Sequence, residues 1–89
     1  MTKKRRKLNK DFERKIYSSK KNVELVLAKI YDIDDEDIQK EYMIAFNRVL
    51  RLFEELKEDY GQLGYSDNSE TLLTSYRKEF DIFESEYEI

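Results

Sequence analysis

Apolar residues recur along this chain at helical intervals, in three separate runs. The first comprises Phe12, Ile16, Val23, Val26, Leu27 and Ile30. The second, Tyr42, Phe46, Val49, Phe53, Leu56 and Tyr60, steps by four and three. The third is Leu73, Tyr76, Phe80, Phe83 and Tyr87, with Leu72 beside it. Each run lines one face of a 3.6-residue helix. Helices are therefore expected at about 10–31, 35–60 and 69–87.

Polar residues punctuate these runs. Asn9 or Asp11 can open the first helix, and Asp34 suits the N-cap of the second. Asp35, Glu36 and Asp37 then complement the positive end of the second helix dipole. Gly61 reads as its stop signal. The connector 61–68 carries Leu63 and Tyr65, both expected to fold back onto the core. Asp67 with Glu70, or Ser69 alone, can cap the third helix, and Glu84 to Ile89 is expected to fray.

The second stripe is widened by Met43 and Leu50 on one side and by Ala45 and Leu52 on the other. A stripe that wide serves two neighbours. The expected fold is all-α, a small antiparallel three-helix bundle preceded by a basic, flexible N-terminal arm. The arm is assigned to residues 1–8 and a single helical domain to 9–89. The alternative is a long helical hairpin whose seam a second copy must cover.

Composition agrees with long helices. The 89 residues include no Pro, and the glycines are Gly61 and Gly64. There is no Cys and no His, which removes disulfides, thiolate metal sites and the commonest general base. With no glycine-rich phosphate loop either, the expectation is a protein that is not an enzyme, with no catalytic residues, cofactor or metal. Asp32, Asp34, Asp35, Glu36 and Asp37 begin like a calcium loop. Asp37 stands where such a loop needs Gly, however, and Met43 where it needs a bidentate Glu. No stretch approaches a membrane span, and the basic N-terminus has no apolar run after it, so a soluble cytoplasmic protein without membrane insertion is expected.

Charge divides the chain. Ten of 17 basic residues fall within the first 21 positions, where only Asp11 and Glu13 oppose them. The candidate nucleic-acid contacts are Lys3, Lys4, Arg5, Arg6, Lys7, Lys10, Arg14 and Lys21, which could neutralise phosphates without reading sequence. Tyr17, off the seam and beside these cations, is the tyrosine to test for base stacking. Leu25, Ile44 and Ile82 lie almost opposite the three seams, where a large apolar side chain has no core to enter. They, with Arg48, Arg51, Glu79 and Glu86, are the candidate partner-binding residues. The function expected first is a small interaction protein, an adaptor, inhibitor or immunity-type factor. It would bind another protein, or a second copy of itself, through its acidic helical surface. A nucleic-acid-binding accessory protein that uses the basic arm and first helix is the alternative.

Overall fold

The computed structural model describes residues 7–88. Their regular structure is helical: α1 (Lys10–Tyr31), α2 (Glu36–Leu63) and α3 (Asp67–Glu86). The core is built from the expected seams. Phe12, Val23, Val26 and Ile30 of α1 are buried with Phe46, Val49, Phe53, Leu56 and Tyr60 of α2 and with Leu73, Tyr76 and Phe83 of α3. Two serines join them, Ser19 and Ser69. Ser19 occupies the seam position between Ile16 and Val23, and its hydroxyl donates back to the Lys15 carbonyl at 2.8 Å. A short hydroxyl satisfied on its own helix can enter a core without an orphaned polar group.

Ring contacts set the order of α2 and α3. Tyr42 meets Tyr87 with centroids 4.8 Å apart, Phe46 meets Phe83 at 4.9 Å, and Phe53 meets Tyr76 at 5.4 Å. The start of α2 thus faces the end of α3. For α1, Phe12 lies 5.5 Å from Tyr60, while the Gln39 side chain at the other end of α2 donates to the Ile30 and Tyr31 carbonyls. The last turn of α1 is therefore capped by the first turns of α2.

The helix ends agree with the expectations only in part. Asn9 does cap α1, accepting from the Phe12 amide at 3.0 Å. The α2 cap is Asp35, not Asp34, and it accepts from the Asp37 and Ile38 amides. Ser66, rather than Asp67 or Ser69, caps α3. It accepts from the Ser69 amide, and Ser69 Oγ accepts from the Ser66 amide at 2.7 Å. This is a capping box closed by serine where Glu or Gln is usual.

Gly61 does not end α2. The helix passes through it to Leu63 and stops at Gly64, whose φ of 78° favours glycine. Gly64 is also pressed against the backbone of Lys7, where a Cβ would collide with the Lys7 carbonyl and amide. The Tyr65 amide donates to the Lys7 carbonyl at 2.6 Å, so Lys7 is pinned to the α2–α3 connector and does not belong to a loose arm. Residues 1–6 of the expected arm lie outside the described residues. Leu63 does not fold back and stays exposed. Tyr65 does, with its ring edge-on to Phe12 at 5.1 Å.

Candidate functional site

The two helices joined by the aromatic ladder leave an open groove on their outer side, of about 540 Å³. Phe83, with half-buried Ala45 and Tyr87, forms its base. Ile44 and Ile82 stand along it, 70% and 38% exposed. They are exposed because each sits on the side of its helix away from the seam, where packing cannot reach it.

Charged side chains complete the groove. Asp37, Glu41, Glu79 and Glu86 contribute four carboxylates, and Lys40 and Arg48 two cations. Among the described residues, ion pairs within 4 Å occur at Arg14–Asp11, 3.7 Å, and Lys57–Glu54, 3.1 Å. Neither pair belongs to the groove, so Arg48 and Glu79 line it without bridging to each other. The groove therefore presents a net acidic, partly apolar surface whose charges are not spent on one another.

Five of the seven candidate partner-binding residues meet here: Ile44, Arg48, Ile82, Glu79 and Glu86. Leu25 is exposed on α1, and Arg51 is exposed on α2; neither lines the groove. Asp37, Lys40, Glu41, Ala45, Phe83 and Tyr87 line it without being candidates from sequence. Asp37, Lys40 and Glu41 could have been found, since they precede Ile44 at helical intervals on the same face.

Of the candidate nucleic-acid residues, Lys3, Lys4, Arg5 and Arg6 lie outside the described residues. Lys7, Lys10, Arg14 and Lys21 are exposed at the start and outer face of α1. Lys7 Nζ lies 5.8 Å from the centre of the Tyr65 ring, and Lys21 Nζ 4.8 Å from that of Tyr17.

A narrower crevice of about 280 Å³ separates α1 from α3, lined in part by Ser18, Asn22, Arg77 and Asp81. Tyr76 reaches across it and donates to the Ser19 carbonyl at 3.3 Å. Burial pushes the Tyr76 phenol above its ordinary value, against smaller lowerings by the Ser19 side chain and the Arg77 charge. Tyr65 is also raised, chiefly because its hydroxyl donates to Glu70 at 2.8 Å.

Among the described residues, no group of three or more Asp or Glu is arranged to hold a metal ion. No helix among them is long and apolar enough to cross a membrane. Comparison with models of protein families, with curated proteins and with solved structures finds no match. Any role for the groove therefore rests on its own geometry.

Proposed function

We propose that this chain is a small non-enzymatic interaction protein, an antiparallel three-helix bundle whose α2–α3 groove docks an amphipathic helix of another protein. The carrying observation is that Ile44 and Ile82 share one groove whose carboxylates outnumber its cations four to two. The complementary ligand is a helix with aliphatic anchors at i and i+3 or i+4, flanked by Lys or Arg. Apolar anchors supply the affinity, and the acidic rim selects and orients a basic partner. Such a module acts by occupying its partner, as an adaptor, inhibitor or immunity-type factor does.

Site-specific photocrosslinking in the native cells tests the reading. A photoreactive residue at position 44 and one at position 82 are expected to trap the same protein. One at exposed Leu63 is expected not to trap it, and Glu79→Lys combined with Glu86→Lys is expected to abolish the adduct. No adduct at 44 or 82, or the same adducts at all three positions, would overturn this choice of surface.

A further inference from the structure

We infer that the outer face of α1 is a second binding surface, independent of the groove, for single-stranded nucleic acid held without sequence preference. Lys10, Arg14, Tyr17 and Lys21 are spaced four, three and four apart, which puts them on one stripe about 16 Å long. That stripe lies opposite Phe12, Ser19, Val23, Val26 and Ile30, the buried face of α1, and all four residues are exposed. Neither α2 nor α3 covers them.

Among the described residues, neither Lys10 nor Lys21 has a carboxylate within 4 Å. Arg14 pairs with Asp11, but both side chains are more than four-fifths exposed. An ion pair that open contributes little and is readily exchanged for a phosphate. Lys7 is fixed beside the start of α1 by its backbone contact with the connector. Its side chain is exposed there, at the N-terminal end of the stripe. The rest of the molecule repels a polyanion: acids outnumber bases seven to four in α2 and six to two in α3. Electrostatics directs a phosphate chain to α1 and away from the other two helices.

Tyr17 decides the class of polyanion. It is a large aromatic side chain, 59% exposed, set among cations, and Lys21 lies against its ring. Cations that grip phosphates around a ring on which a base can stack are the elements of single-strand binding. A duplex keeps its bases stacked internally and out of reach of such a ring. A membrane surface would require a broad apolar face, whereas this stripe offers only Tyr17 and, at its far end, Leu25.

The test uses the full chain and three probes: a labelled twenty-nucleotide oligothymidine, a labelled duplex of equal length, and phosphatidylserine–phosphatidylcholine vesicles. Anisotropy is followed across a salt series, and circular dichroism verifies each variant's fold. The single strand is expected to bind tightest. Tyr17→Ala should weaken that binding about tenfold, and Tyr17→Phe should keep it within about twofold, because stacking needs the ring and not the hydroxyl. Lys10→Gln combined with Lys21→Gln should lower the slope of log affinity against log salt by about 1.4, about 0.7 for each phosphate that is no longer neutralised. Tighter binding to the duplex, an unchanged Tyr17→Ala variant, or association with vesicles but not with the oligonucleotide would overturn the proposal. The groove reading would be untouched by any of these.

Discussion

The α2–α3 pair and the α1 helix are held by different kinds of contact. Rings run along the α2–α3 seam from Tyr42 and Tyr87 to Phe53 and Tyr76. Across its own interfaces α1 has ring contacts at one end only, where Phe12 packs on Tyr60 and Tyr65. The rest of its buried face is aliphatic or serine, helped by the Tyr76–Ser19 bond and the Gln39 clasp. Aromatic pairs contribute about 0.5–1.5 kcal/mol each beyond the area they bury. The pair carrying the groove is therefore the stiffer unit, and the helix carrying the basic stripe is the first to loosen.

The largest test of this contrast is a pair of core truncations. Phe46, fully buried between Phe80 and Phe83, and Phe12, 1% exposed, should each cost about 3–5 kcal/mol on replacement by Ala. Phe46→Ala should abolish cooperative unfolding of all three helices. Phe12→Ala should first lose hydrogen-exchange protection in α1, with α2 and α3 amides still protected. Equal loss of protection in all helices of Phe12→Ala would erase the distinction.

A finer test is Tyr60→Phe. The Tyr60 hydroxyl donates to Glu13 Oε2 at 2.9 Å and accepts from the Asn9 amide at 3.0 Å, tying the start of α1 to the end of α2. Its removal should cost about 1 kcal/mol by denaturant unfolding, with faster exchange confined to the first turns of α1. Faster exchange in α3 as well would show that the helices loosen together.

The smallest effect is in pH. Burial raises the Tyr76 phenol in the folded state, so the fold holds that proton more tightly than the unfolded chain does. Its contribution is fully present below the unfolded value near 10 and declines as pH rises from there through the folded value. Urea midpoints should fall between about pH 9 and 11, less steeply in Tyr76→Phe. An equal fall in both proteins would show that the α1–α3 crevice does not sense this ionisation.

The seams are legible in the sequence because burial of large side chains imposes the helical period directly. Every buried apolar residue of α2 belongs to the expected stripe. Ser19 and Ser69 are not legible as core, since a serine enters the interior only once its hydroxyl has a partner. The end of α2 is misplaced at Gly61 because the actual stop depends on Lys7, more than fifty residues earlier, pressing on Gly64. The same non-local contact explains why the local pattern puts Lys7 in an arm. At the groove, Ile44 and Ile82 can be singled out on their separate helices. Their meeting depends on the register that Phe46 and Phe83 impose between α2 and α3, which periodicity within either helix does not encode.

The anchoring of Lys7 also makes the α2–α3 connector answerable to the start of α1. Gly64 accepts no larger residue, because a Cβ there would meet the Lys7 carbonyl and amide and because its φ of 78° strains any other side chain. A change in this turn would therefore be felt across the bundle, at the segment that leads into α1, before it disturbed either helix the turn joins.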